Sequence, residues 1–149
     1  MAVITTKSAG ETQKIACILA KELRPSTRAR VIALQGELGA GKTTFAQGFA
    51  QALGIKENVL SPTFVLMKIY SLKKSIFRRL VHIDCYRIAS PKDLAPLGIK
   101  EILKDPRNIV LIEWPERIKK IIPRDAIWLK FVHGAKQNER RIVIKKSAA

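Results

Sequence analysis

Acidic side chains are scarce in this sequence. Only 12 Asp and Glu stand against 28 Lys and Arg in 149 residues, a net charge of +16. So one-sided a balance favours polyanionic partners, namely nucleic acid, acidic proteins or anionic lipid, over cationic ones. A basic surface that is merely solvated fits the same count. Cysteine is equally sparse: Cys17 and Cys85 lie far apart, with neither a metal nor a redox spacing. That excludes a disulfide scaffold and predicts two reduced, packed thiols. No stretch approaches the roughly 20 apolar residues of a membrane-spanning helix, and "MAVITTKSAGETQK" has no apolar run of signal-peptide length. A soluble, cytoplasmic chain away from membranes is expected. There is no internal repeat and no low-complexity linker, so residues 1–149 are read as a single domain.

What is present is an ordered alternation of patterns. "SAGETQKIACILAKEL" opens on Ser8-x-x-Glu11, a capping-box signature, and predicts a helix over about 8–24. "RVIALQG" (30–36) is a buried-strand run that ends on glycine. Phe45, Ala46, Phe49, Ala50 and Leu53 then share a helical face, with Gly54 as the stop. Residues 61–88 predict two strands joined by a basic turn around 72–75. "SPKDLAPLGIKEIL" predicts a helix from Ser90, with Pro91 at its first position. "NIVLIEW" (108–114), "AIWLKFV" (126–132) and "RRIVIKK" (140–146) predict further strands, the last two around a turn. Strands alternating with helices imply an α/β three-layer sandwich, with part of its sheet antiparallel.

Chemistry concentrates in "GELGAGKTTF". Gly36, four residues, then Gly41-Lys42-Thr43, between a strand and a helix, is the phosphate-loop pattern. Glycines let the backbone aim N–H groups inward at phosphate oxygens, and the helix start adds its positive dipole end. Lys42 is expected to reach the β and γ phosphates, and the Thr43 hydroxyl to bind Mg²⁺. The candidate nucleotide contacts are therefore Gly36, Glu37, Leu38, Gly39, Ala40, Gly41, Lys42, Thr43 and Thr44. An acid at the end of an apolar strand completes such sites. Glu113 ends "IVLIE" and Asp84 ends "LVHID". Strand alternation in "HIDCYR" would set His82, Asp84 and Tyr86 opposite Ile83, Cys85 and Arg87. His82 is read as structural. Ser61 and Thr63 of "SPT" fit either an ordinary turn or a sensor of the γ phosphate. Trp114 suits the core, the nucleotide or a partner equally. No Asn-Lys-x-Asp is present to read guanine, which favours ATP over GTP. No arginine occupies an obvious finger position, since alternation points Arg87 away from Asp84.

In order and spacing, "GELGAGKTT", "SPTF", "HIDCYR", "LGIKE" and "IEWPERI" resemble the TsaE (YjeE-type) bacterial ATPases over roughly residues 8–123. Phe64, Ile83 and Cys85 depart from residues frequent in that family, and none is a proposed ligand. The resemblance implies a P-loop NTPase-like fold with a mixed sheet and few helices. It implies a Mg²⁺ site of Thr43 and Glu113, with Asp84 near the γ phosphate and catalytic roles for Lys42, Asp84 and Glu113. It further implies work with a TsaB–TsaD pair that modifies tRNA to threonylcarbamoyladenosine. The lack of an arginine finger separately predicts slow hydrolysis alone and acceleration by a partner. Alternatives exist in other classes. A small-molecule kinase would need "LKKSIFRR" as a lid, and a non-hydrolysing module would use ATP only as cement.

Overall fold

The computed structural model describes residues 2–37, 39–57 and 66–146. Its elements, in chain order, are β1 (Ala2–Thr6), α1 (Ala9–Glu22), β2 (Arg30–Gln35), α2 (Lys42–Ala52), β3 (Met67–Ser71), β4 (Arg79–Asp84), a 3-10 segment (Pro91–Leu97), α3 (Ile99–Lys104), β5 (Asn108–Glu113), a second 3-10 segment (Pro115–Ile121), β6 (Ile127–His133) and β7 (Arg140–Lys145). One seven-stranded sheet runs in the order β1-β7-β6-β2-β5-β4-β3. β6, β2, β5 and β4 are mutually parallel; β7 on one side and β3 on the other run antiparallel to them, and β1 pairs antiparallel with β7, so it points the same way as the central strands. The chain is thus α/β with a mixed sheet, as the sequence implied.

Residue alternation along the central strands makes three layers. Ile32 and Leu34 of β2, with Ile109 and Leu111 of β5, pack under Ala16, Ala20, Phe45 and Phe49 of α1 and α2. Val31, Ala33, Val110 and Ile112 face the other way, onto Leu94, Ile99, Leu103 and Ile118. Each fully buried Phe or Ile contributes roughly 1.5–3 kcal/mol. α1 starts where the sequence placed it, with Ser8 Oγ accepting the Glu11 N–H at 3.1 Å. α1 and α2 meet closely because Gly48 has no Cβ, which would lie 2.7 Å from Gln13 Cα.

Three expectations change. The helix predicted from Ser90 has its cap, with Asp93 Oδ2 accepting the Ser90 and Ala89 N–H groups. It nonetheless forms a 3-10 segment holding Pro96, broken from α3 at Gly98 (φ 75°). β4 stops at Asp84 rather than running to Ile88. β1 and the segment after Trp114 carried no local pattern strong enough to read. Of the thiols, Cys85 is buried and Cys17 only half-buried, a partial correction to two packed thiols.

Candidate functional site

The carboxyl ends of the parallel strands open into a cleft of about 460 Å³. Its floor is the loop between β2 and α2. Gly36 (φ 147°), Gly39 (φ 77°) and Gly41 (φ 106°) all hold positive φ. Gly36 is doubly constrained, since a Cβ there would sit 2.7 Å from the Phe131 carbonyl oxygen of β6. Gly39, Gly41, Lys42, Thr43 and Thr44 line the cleft. Ala40 is buried in the core, so only its backbone is available to the cleft. Glu37 is exposed, and its carbonyl accepts the Ala40 N–H at 3.2 Å. Leu38, Ser61 and Thr63 lie outside the described residues.

Lys42 begins α2, and its side chain folds back under the loop. Its Nζ donates to the Gly36 carbonyl at 2.5 Å and sits 4.0 Å from the Trp114 ring centroid. Lys42 is 4% exposed, so burial lowers the ammonium pKa, opposed by the carboxylates of Glu113, Glu116 and Asp84. Trp114 is, among the described residues, the sole non-glycine at positive φ (56°), a strained backbone for a bulky side chain. That turn swings its indole over Lys42 and against Tyr86, with ring centroids 5.0 Å apart. Of the three places open to Trp114, it lies at the cleft.

Parallel pairing brings the two acids side by side, with Asp84 of β4 opposite Glu113 of β5 in register. Glu113 is buried, and its Oε2 accepts from His82 Nε2 at 2.8 Å. His82 fixes one carboxylate oxygen and is more than a packing residue. Asp84 Oδ1 accepts the Tyr86 N–H at 2.9 Å. This bond, and that from Ile88 N to the Cys85 carbonyl, turns the chain directly after β4. Strand alternation therefore ends at Asp84, and both Tyr86 and Arg87 line the cleft. The expectation that Arg87 points away is corrected. Cys85 beneath is inert: burial first, then the charges of Asp84 and Glu116, pushes its thiol up to about 12.

The opposite wall escaped the sequence reading altogether. Ser8, Ala9 and Thr12 around the start of α1 line it, with Asn138 from the β6–β7 connection and Arg140 at the start of β7. Arg140 donates to the Gly39 carbonyl at 3.1 Å, across 101 residues of chain, and to the carbonyls of Gln137 and Glu139. The site thus has two arginines where none was read. No local signal marks Arg140, whose position follows from β7 lying two strands from β2.

This geometry of loop, lysine and paired acids is common to many nucleotide-binding chains, and comparison narrows it. The model of the family described as "Threonylcarbamoyl adenosine biosynthesis protein TsaE" matches residues 6–142. The chain belongs to the TsaE family. A relative from Rickettsia typhi, named tRNA threonylcarbamoyladenosine biosynthesis protein TsaE, is 37% identical over 145 residues, 95% of this chain and 93% of the relative. A Bacillus subtilis protein of the same name is 36% identical over 132 residues, 89% of this chain and 77% of that one. The crystal structure of Bacillus subtilis YdiB superposes with a TM-score of 0.78 at 30% identity, covering 99% of this chain and 86% of that one. The TsaE membership and the P-loop NTPase-like fold therefore agree with the resemblance seen in the motifs.

The oxygen donors fit Mg²⁺ carried on phosphates. Glu113 presents a carboxylate steadied by His82, and the Thr43 hydroxyl lines the same cleft. Among the described residues no three His, Cys, Asp or Glu gather as an all-protein metal cage. A Mg²⁺ site of this class takes its remaining ligands from phosphate and water.

Proposed function

We propose that this chain is a single-domain, ATP-binding and ATP-hydrolysing subunit of the machinery that makes threonylcarbamoyladenosine in tRNA, acting in the cytoplasm with a TsaB–TsaD transferase pair. The observation that carries it is Lys42, buried under a glycine loop and facing a Glu113 that His82 holds in place, in a chain of the TsaE family. No helix among the described residues is long and apolar enough to cross a membrane.

The residues divide the work. Backbone N–H groups of 39–43 and the start of α2 receive phosphate oxygens. Lys42 Nζ exchanges the Gly36 carbonyl for phosphate, trading a neutral acceptor for a charged one. Trp114 keeps that ammonium aligned through its ring face. Thr43 and Glu113 would hold Mg²⁺, which would supply neutralisation of phosphate charge. Asp84, beside Glu113 in register, orients the attacking water. Arg140 pins Gly39 on the wall away from the acids, and Asn138 and Ser8 add polar groups to that wall.

Arg87 supplies the cation. It is exposed and, among the described residues, makes no ion pair. In open water such a charge is screened. A partner that covers the rim excludes that water and strengthens it. Slow hydrolysis alone and faster hydrolysis in the complex follow. A kinase is disfavoured because the β3–β4 turn, which carries the lid-like "LKKSIFRR", lies at the other end of the sheet.

The test is calorimetry of ATP with and without Mg²⁺, followed by retention of purified TsaB–TsaD on the immobilised chain. Micromolar ATP binding tightened by Mg²⁺, with ATP-dependent retention, is expected. No ATP binding at millimolar ligand would overturn the ATPase reading, and retention indifferent to ATP the partner reading.

A further inference from the structure

The chain's excess positive charge is not spread evenly. At the amino ends of the parallel strands, four connections meet. Ala29 N–H donates to the Leu103 carbonyl, Arg78 and Arg79 N–H to the Arg107 carbonyl, and Arg28 pairs with Asp125 at 3.3 Å. These bonds join segments 24–30, 72–79, 104–107 and 123–126 into one face, remote from the cleft. Together those segments carry ten Lys and Arg against two Asp and Glu. Both carboxylates are already engaged, Asp125 by Arg28 and Asp105 by Arg79 (2.7 Å) and Arg107 (2.9 Å). Asp105 stays ionised, its carboxyl held at about 2 by the Arg107 hydrogen bonds, so it neutralises only those two arginines.

Lys73, Lys74 and Arg78 are left exposed with no carboxylate partner among the described residues. They are presented by a pinned turn. Leu72 and Phe77 are buried in the core, Leu72 N–H donates to the Arg78 carbonyl at 2.8 Å, and Phe77 N–H to Ser75 Oγ at 3.1 Å. Beside them is a hollow lined by Lys73, Arg78, Arg79 and Arg107. Fixed cations around a hollow, spread over several connections, suit a polymer with regularly spaced charges. No aromatic ring of this face is exposed for stacking on bases, since Phe77 is buried. Contact is then to phosphates rather than base edges.

We propose that this amino-end face binds the phosphate backbone of structured RNA, at the opposite end of the sheet from the nucleotide cleft. The inference rests on the placement of charge and stands whether or not the cleft hydrolyses ATP. RNA held here leaves the cleft open.

The experiment titrates the intact protein with an unmodified tRNA transcript at several salt concentrations. The triple variant Lys73→Ala, Lys74→Ala, Arg78→Ala is compared with Lys14→Ala, Lys92→Ala, Lys136→Ala, which removes three exposed cations elsewhere. Expected are at least a tenfold loss of affinity and a salt slope shallower by about 2–3 for the first, and less than a twofold change for the second. Equal losses in both would overturn the localisation, leaving only diffuse attraction. No RNA binding by the unaltered protein at low salt would overturn the proposal outright. Poly-glutamate competing as well per charge as RNA would assign the face to an acidic protein instead. Ultraviolet crosslinking on the unaltered protein needs no variant to fold. Adducts in 72–79 and 104–107 are expected, and adducts confined to the cleft would contradict the assignment.

Discussion

The two ends of the sheet treat charge in opposite ways. At the carboxyl end, Lys42, His82 and Glu113 are buried, and each has a named partner within hydrogen-bond distance. At the amino end, Lys73, Lys74 and Arg78 are exposed and unpaired among the described residues. A buried charge is costly unless its geometry is fixed, so the cleft is organised before any ligand arrives. An exposed charge costs little and fixes nothing by itself. The first arrangement suits chemistry at one point, and the second suits attraction of an extended polyanion.

The largest expected effect breaks the cleft at its metal side. Glu113→Ala should lower partner-stimulated phosphate release on the order of 10²-fold while sparing much of the nucleotide affinity. Wild-type turnover in that variant would contradict its role. Lys42→Ala should weaken ATP binding at least tenfold, the value of a charge-assisted contact of about 1.5–3 kcal/mol, measured by calorimetry. Next comes His82→Ala, which removes one hydrogen bond from the buried Glu113 carboxylate. A loss of about 2–3 kcal/mol in urea unfolding is expected. Recovery of phosphate release with His82→Gln but not His82→Leu would separate positioning from mere packing. Arg87→Ala should remove partner stimulation and leave the basal rate within about twofold, because an exposed cation contributes little until water is excluded. The smallest effect sharpens the contrast: alanine at Lys73, Lys74 and Arg78 should change stability by no more than about 0.5 kcal/mol and leave ATP affinity intact.

Legibility followed locality. The phosphate loop, its helix and the acids of β4 and β5 were readable because glycine spacing and apolar runs are local signals. The β4 terminus was misplaced, since the Asp84–Tyr86 bond that turns the chain leaves no periodic trace, and this put Arg87 on the wrong side. Pro96 and Gly98 turned a predicted helix into two short pieces. Arg140 and Asn138 reach the loop only because β7 pairs with β6 beside β2, a fact of topology. β1 went unread for the same reason, its partner being β7 at the far end of the sequence. The sequence showed the excess of cations, but only the joined connections at the amino end show where they gather.

The most direct measurement is steady-state phosphate release from the purified chain with ATP and Mg²⁺, with and without the TsaB–TsaD pair. A site organised by Lys42, Glu113 and His82 but open at Arg87 predicts slow turnover alone and at least a tenfold rise with the pair. Equal rates in both conditions would contradict a partner-completed ATPase.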